Sequence, residues 1–243
     1  MQPREDRFTI KAFDCCPEGR VKPNVLMQYL QEAAARHAEQ LGVGFADLEQ
    51  CNCFWVLATF RLEVTTLPRW RDDVTVKTWP SGCTRLTASR EFVGANTDGH
   101  EFFRAASEWM ILDKQSGRPK NLTRLDLHLP PSGPKALAAE LQRLQPAEGY
   151  TRVDSLRVPF SSLDFNGHVN NTEYIRWALD GLYSLQHVVP EIRLIQATYL
   201  AEVFESDEIE ILVATDRKGP TRILERRAAE PSNANVFLME ILS

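Results

Sequence analysis

Polar and ionisable side chains crowd around one glycine in the second half of the sequence. Within eight positions that include Gly167 the chain carries Asp164, Asn166, His168, Asn170 and Asn171. A carboxylate or an imidazole can take a proton from water, and amide donors can polarise a carbonyl oxygen. Because a thiolate leaves readily, hydrolysis of a thioester needs little more than these groups. The segment therefore predicts acyl-transfer chemistry with no metal and no cofactor.

A predicted helix beginning near Asn170 places this segment at a helix N-terminus. Amides of a first helical turn lack intrahelical acceptors and lie at the positive end of the helix dipole. We expect the Val169 and Asn170 amides to stabilise an oxyanion. These polar residues can also be explained by a structural role alone. Asn170 and Glu173 have the spacing of a capping box, and Asp164 can accept hydrogen bonds from the backbone of its own turn.

The elements that must position the site occur twice along the chain. A short strand through Phe8 and Ile10 precedes a helix from Pro23 to about Leu41, and alternating strands follow. After a break rich in proline, a strand, a helix and further strands return. Each helix needs a sheet face for its apolar stripe, so the sequence predicts an α+β protein built from two tandem hotdog domains, each a long helix wrapped by a curled antiparallel sheet.

The expected domains are residues 1–130, a linker over 131–149 with a short helix from Lys135 to Leu144, and residues 150–243. Two short matches suggest a duplication: Gly19-Arg20-Val21 with Gly167-His168-Val169, and Leu62-Glu63-Val64 with Ala201-Glu202-Val203. The first copy has Arg20 where the second has His168, and Lys22 where it has Asn170. The fold therefore does not require the polar residues of the second copy.

Composition and charge narrow the possible partners. The 243 residues carry a net charge of −5, which gives no overall positive field for nucleic acid or an anionic membrane surface. No uncharged stretch approaches the ~18 residues of a spanning helix, and the N-terminus has no apolar signal region, so we expect a cytoplasmic protein.

The five cysteines all precede residue 84 and lack the usual zinc-ligand spacing, so we expect free thiols.

The segment around His168 resembles the second-half motif of the acyl-acyl carrier protein (acyl-ACP) thioesterases, Asp-x-Asn-x-His-Val-Asn-Asn followed by Tyr-Ile-x-Trp. The match continues through Tyr174, Ile175 and Trp177, and the first-half layout with Trp55 is also similar. The resemblance implies that Asp164, Asn166, His168 and Glu202 are catalytic. Glu202 matches the glutamate of a later family segment, Tyr-x-x-Glu-Cys, but Val203 replaces its cysteine, which excludes a papain-like Cys-His mechanism.

The roles implied by the family are specific. Asn166 would bind the thioester carbonyl, Glu202 and His168 would position and deprotonate water, and Asp164 would orient His168 or Asn166. The first half would bind the acyl chain, with candidate lining residues Met27, Leu30, Trp55, Phe60 and Trp79.

The implied partner is acyl carrier protein, which is acidic in the family and would need a basic patch. The densest basic run is Lys114, Arg118, Lys120 and Arg124, followed by Arg152 and Arg157.

Three alternative functions stay open: an acyl-CoA thioesterase, a hotdog dehydratase and a non-enzymatic module that binds acyl thioesters. Either a monomer or a homodimer is compatible with two tandem domains.

Overall fold

The chain divides into two compact units, Met1–Leu141 (unit 1) and Gln142–Ser243 (unit 2). The computed structural model describes residues 2–125, 132–188, 190–215, 219–229 and 235–243. The division falls within the segment expected to be a linker, whereas the expected boundary between residues 130 and 131 lies outside the described residues. In the described part of the chain, no helix is long and apolar enough to cross a membrane.

Unit 1 packs a long helix on an antiparallel sheet. Its elements are β1 (Arg4–Thr9), α1 (Pro23–Gln40), α2 (Phe45–Gln50), β2 (Cys53–Val64), β3 (Asp73–Cys83), β4 (Ala88–Ala95) and β5 (Glu101–Asp113). The strands lie in the order β1-β3-β4-β5-β2. The Asp98-Gly99 turn that the sequence predicts lies between β4 and β5, and Gly99 has a φ of +85°, a conformation that favours glycine.

Helix α1 forms where the apolar residues recur at steps of three and four. Pro23 occupies its first position, where a missing N–H costs no hydrogen bond. Leu26 and Leu30 are fully buried, and burying a leucine side chain stabilises a fold by about 1.5–3 kcal/mol. The helix ends at Gln40, two residues before Gly42, whose φ is +70°.

Unit 2 repeats the arrangement of unit 1. Its elements are β6 (Thr151–Arg157), α3 (Asn171–Gln186), β7 (Leu194–Tyr199), β8 (Glu208–Ala214), β9 (Thr221–Arg227) and β10 (Asn235–Leu242). The strand order β6-β8-β9-β10-β7 is that of unit 1, element for element. Helix α3 lies close to the sheet at Gly181, where an added Cβ would be 2.7 Å from Ile211.

The helix expected from Lys135 to Leu144 is wrong. The segment is irregular, and side chains of neighbouring strands bind its backbone groups. Glu91 accepts from the Ala136 amide at 3.0 Å, Arg104 donates to the Ala136 carbonyl at 3.1 Å, and Thr198 accepts from the Leu144 amide at 3.0 Å. These bonds replace those that a helix would make. Conversely, α2 has no counterpart in the sequence prediction, because six residues are too few to show a helical stripe.

Candidate active site

A tight turn shapes the backbone before α3. The Asp164 amide donates to the His168 carbonyl at 2.8 Å, and the Gly167 amide donates to the Asp164 carbonyl at 3.0 Å. Gly167 has a φ of +79°, which other residues adopt at a cost. Leu163 and Val169 then pair as an isolated antiparallel bridge. The turn brings Asp164, Asn166 and His168 together, as the sequence predicts.

The Asp164 carboxylate binds the backbone of its own turn. Its Oδ1 accepts from the Asn166 amide at 2.8 Å and from the His168 amide at 3.3 Å. Asp164 therefore binds the main chain of both Asn166 and His168, whereas the family resemblance implies that it orients one or the other.

His168 lies beside Glu202. The His168 Nδ1 is 3.3 Å from Glu202 Oε1, and both side chains are partly exposed, at 25% and 33%. The Glu202 Oε1 atom itself is buried and makes no hydrogen bond within the described residues, so the imidazole lies within ion-pair distance but off a hydrogen-bonding direction. The Phe204 ring stands edge-on to the imidazole, with ring centroids 5.1 Å apart. A carboxylate oxygen and an imidazole thus share a small, partly exposed site.

Main-chain contacts hold Glu202 in place after β7. The Val169 amide donates to the Val203 carbonyl at 3.0 Å, and this bond ties the strand exit to the turn. The Arg227 guanidinium donates to the Glu202 carbonyl and lies 3.3 Å from Asp207. The sequence analysis missed Arg227, because nothing local in β9 indicates that its side chain reaches a residue 25 positions earlier.

The oxyanion role expected for the Val169 and Asn170 amides is wrong. The Val169 amide is bound to Val203, and the Asn170 amide donates to the Ser162 carbonyl at 2.9 Å. The Asn170 side chain instead caps α3, accepting from the Thr172 amide at 3.0 Å. No reciprocal capping box forms, because Glu173 accepts from the Ser162 hydroxyl and from Arg176. The first residue of α3, Asn171, has by its position no intrahelical acceptor for its amide.

Unit 1 contains the same turn with different side chains. The Cys16 amide donates to the Arg20 carbonyl at 2.8 Å and the Gly19 amide to the Cys16 carbonyl at 2.9 Å. Gly19 has a φ of +74°, and Cys15 pairs with Val21. These contacts match those of unit 2 with residues 148 positions apart, as the first sequence match predicts.

The second sequence match is wrong. The Val21 amide donates to the Pro68 carbonyl just as Val169 donates to Val203, so Pro68 is the equivalent of Val203. Leu67 therefore occupies the position of Glu202, and Glu63 forms an ion pair with Arg61 instead. The correct spacing is 135 residues, as between Pro68 and Val203, and unit 1 lacks the carboxylate as well as the imidazole.

The candidate acyl-lining residues separate into two groups. Met27, Leu30 and Phe60 are buried, and the first two lie on the buried stripe of α1. Trp79 lies on the other face of the sheet, where its indole donates to the Pro134 carbonyl at 2.7 Å, so the expectation for Trp79 is wrong. Trp55 donates to the Val43 carbonyl and packs against the cluster around Leu48 of α2.

The basic run expected to dock a carrier is partly neutralised. Lys114 forms an ion pair with Glu49, Lys120 lies 2.6 Å from Asp113, and Arg152 lies 2.7 Å from Glu210. Three of the six candidate cations thus already have carboxylate partners.

A buried carboxyl group lies behind the site. Glu225 of β9 is fully buried, and neither of its carboxyl oxygens has a hydrogen-bond partner within the described residues. It pairs across strands with Phe237, which contacts Tyr174 and Tyr199 at centroid distances of 5.4 and 4.9 Å. Burial raises the pKa of Glu225 well above its usual value, because an apolar surrounding disfavours the charged carboxylate.

The site thus combines an imidazole, a carboxylate and a helix N-terminus in a unit that packs one long helix on an antiparallel sheet. Residues 4–124 match the family model of the acyl-ACP thioesterase N-terminal domain, and residues 147–233 match that of the C-terminal domain. The chain belongs to the acyl-ACP thioesterase family.

Named relatives agree with this family. The chain is 30% identical over 188 residues to the chloroplastic palmitoyl-acyl carrier protein thioesterase of Gossypium hirsutum, a match that covers 71% of this chain and 45% of that protein. It is 24% identical over 231 residues to oleoyl-acyl carrier protein thioesterase 2 of Arabidopsis thaliana, covering 87% of this chain and 63% of that protein. The chain thus spans between 45% and 63% of the length of these two relatives.

The fold itself is shared with solved structures. An acyl-ACP thioesterase from Bacteroides thetaiotaomicron matches with a TM-score of 0.82 at 23% identity, over 99% of this chain and 97% of that one. The 12:0-ACP thioesterase from Umbellularia californica matches with a TM-score of 0.83 at 18% identity, over 98% of this chain and 96% of that one.

Proposed function

We propose that this protein hydrolyses fatty acyl-ACP to a free fatty acid and the carrier, the step that ends fatty-acid synthesis. The observation that carries the proposal is the approach of His168 Nδ1 to Glu202 Oε1 at 3.3 Å, beside the N-terminus of α3. The family membership, and the activity in the names of its relatives, support the same reaction.

In the proposed mechanism Glu202 and His168 position a water molecule, which attacks the thioester carbonyl carbon as one of the two residues accepts its proton. The Asn166 side chain and the Asn171 amide stabilise the developing oxyanion. The carbon–sulfur bond then breaks, and the departing thiolate takes up the proton. Asp164 holds the turn so that Asn166 and His168 keep their positions. Either Glu202 or His168 can be the base that removes the proton.

A cysteine nucleophile has no place in this mechanism. Val203 is fully buried at the position of the family cysteine. All five cysteines are free thiols of unit 1. Water is therefore the proposed nucleophile.

Each unit is proposed to be one hotdog domain, and the acyl chain is proposed to lie between α1 and the sheet of unit 1. Equivalent rows of paired residues support this division. The row in unit 1 contains Val76, Gly94, Phe103 and Val64, and the row in unit 2 contains Ile211, Glu225, Phe237 and Tyr199. In unit 2 the rings of Tyr174, Tyr199 and Phe237 pack together. Unit 1 has Leu26 at the position of Tyr174 and Val64 at the position of Tyr199. The smaller side chains favour unit 1 as the acyl site.

The test is a thiol-release assay with acyl groups of increasing length on ACP and on CoA. We expect hydrolysis of acyl-ACP, and a reduction of kcat by about 10²–10⁴ in His168→Ala and in Glu202→Gln. Glu205→Gln is the matched control, because Glu205 is an exposed glutamate three positions further on. Near wild-type rates in both site variants would refute the assignment. Higher kcat/KM for acyl-CoA would favour the acyl-CoA thioesterase, and binding without thiol release would favour the binding module.

A further inference from the structure

The turn of unit 1 that corresponds to the active-site turn carries a cluster of positive charge. Arg20 stands at the position of His168 and Lys22 at that of Asn170. On the following segment Arg69 stands at the position of Phe204 and Arg71 at that of Ser206. Unit 2 has no lysine or arginine at any of these four positions. We call the surface formed by Arg20, Lys22, Arg69, Trp70 and Arg71 the cationic turn face.

The side chains of this face have few internal partners. Arg20 and Arg69 pair directly as an isolated antiparallel bridge, and the Arg71 guanidinium lies 4.3 Å from the centroid of the Trp70 ring. Arg69 and Lys22 donate to the backbone carbonyls of Glu18 and Phe13. Among the described residues, none of these four cations forms an ion pair within 4.0 Å, but the pKa of Glu18 is lowered by a hydrogen bond from the Cys16 thiol and, more weakly, by the charge of Arg20.

Folding does not account for the cluster. Like charges directly opposite on paired strands destabilise the pairing. The same turn forms in unit 2 without them, with the same backbone hydrogen bonds. Arg71 has a φ of +76° and the equivalent Ser206 a φ of +68°, so even this unfavourable conformation needs no arginine. Two acidic side chains are close in sequence, Glu18 and Asp72, and the Asp72 carboxylate accepts from the Arg69 amide.

We propose that the cationic turn face docks an acidic protein surface, that of the acyl carrier protein, a proposal that rests on the proposed function. Charge complementarity is the main reason, because Glu18 and Asp72 are the acidic side chains next to these four cations and neither forms an ion pair with them within the described residues. Trp70 and Phe13, which are 51% and 78% exposed, add apolar area next to the arginines. Tryptophan and arginine are the residues that most often dominate binding energy at protein interfaces. The basic run from Lys114 to Arg124 offers less unpaired charge, since both of its lysines have carboxylate partners.

The experiment compares three double charge reversals that change the net charge equally. Arg69→Glu/Arg71→Glu alters the cationic turn face, and both residues are exposed. Arg118→Glu/Arg124→Glu alters the basic run. Arg143→Glu/Arg193→Glu is the control, because both arginines are exposed and belong to neither surface. The affinity for holo-ACP is measured directly, and KM is measured for acyl-ACP and for the same acyl group on pantetheine, which has no carrier protein. Thermal unfolding verifies that each variant is folded.

We expect Arg69→Glu/Arg71→Glu to weaken holo-ACP binding and raise KM for acyl-ACP at least about tenfold, which corresponds to about 1.4 kcal/mol. Kinetics with acyl-pantetheine and both parameters of the control should stay within about twofold. A larger effect in Arg118→Glu/Arg124→Glu, equal effects in all three variants, or no holo-ACP binding by the wild type would overturn the proposal. Binding of holo-ACP at this face without hydrolysis would leave the docking surface intact and refute the proposed function.

Discussion

The role of Asp164 can be tested because the structure separates two explanations for it. If the carboxylate stabilises positive charge on the His168 imidazole, its negative charge is essential. If it fixes the turn, only an acceptor oxygen at the Oδ1 position is essential. The observed hydrogen bonds, from the Asn166 amide at 2.8 Å and the His168 amide at 3.3 Å, favour the second explanation.

Two substitutions distinguish these explanations. Asp164→Asn keeps an acceptor oxygen and removes the charge, so we expect kcat to fall less than about tenfold, or less than about 1.4 kcal/mol in activation free energy. Asp164→Ala removes both hydrogen bonds. One is short and the other long, and hydrogen bonds to charged groups contribute about 1.5–3 kcal/mol each, so a stability loss of about 2–3 kcal/mol is expected.

The turn of unit 1 limits the expected damage. Cys16 occupies the position of Asp164, and the backbone bonds of the turn still form there. The Asp164→Ala variant should therefore still fold and unfold cooperatively, with a lower urea midpoint. Its kcat should fall by about 10² or more, because Asn166 and His168 lose their positions. The assays are thiol release with acyl-ACP at saturation and urea unfolding. A loss of kcat in Asp164→Asn as large as that in Asp164→Ala, with unchanged stability, would refute the positioning role.

Two further predictions concern residues that do not belong to the turn of unit 2. Burial raises the pKa of Glu225 above its ordinary value of 4.5, so folded chains retain a proton that unfolded chains release. Stability from this group is complete below about pH 4.5 and falls as pH rises toward the folded pKa. Glu225→Gln should flatten that decline in urea midpoints measured from about pH 5 to about pH 9, and an unchanged slope would contradict it. Because every cysteine belongs to unit 1 and Val203 stands at the position of the family cysteine, alkylation of the thiols that are accessible in the native protein should leave kcat within about twofold. Inactivation that parallels thiol modification would contradict a water nucleophile.

Much of the fold follows from local patterns in the sequence. The strands of both units and the two long helices were predictable, since alternation and glycine or proline punctuation act over a few residues. Helix α2 was not, because six residues bounded by Gly44 show no stripe. The segment from Lys135 to Leu144 has helical periodicity, but Glu91, Arg104 and Thr198 decide its conformation, and these partners are distant in sequence.

In the site, too, contacts within one turn could be predicted from the sequence, and contacts between distant segments could not. Asp164, Asn166 and His168 are joined by one turn, so their proximity could be predicted from spacing. The approach of Glu202 depends on how β7 leaves the sheet, and the sequence alone indicated it only through the family motif. The amides of Val169 and Asn170 were misassigned because their acceptors, the carbonyls of Val203 and Ser162, are contributed by other segments.

The two copies of the turn separate what the backbone needs from what the chemistry needs. Equivalent backbone hydrogen bonds and one left-handed glycine occur in both units, so they are properties of the fold. His168 and Glu202 occur only in unit 2, where unit 1 has Arg20 and Leu67. A side chain that differs while its backbone is preserved was not required for folding. This reasoning supports both proposals, in which the imidazole and carboxylate of unit 2 act on a thioester and the arginines of unit 1 bind an acidic protein surface.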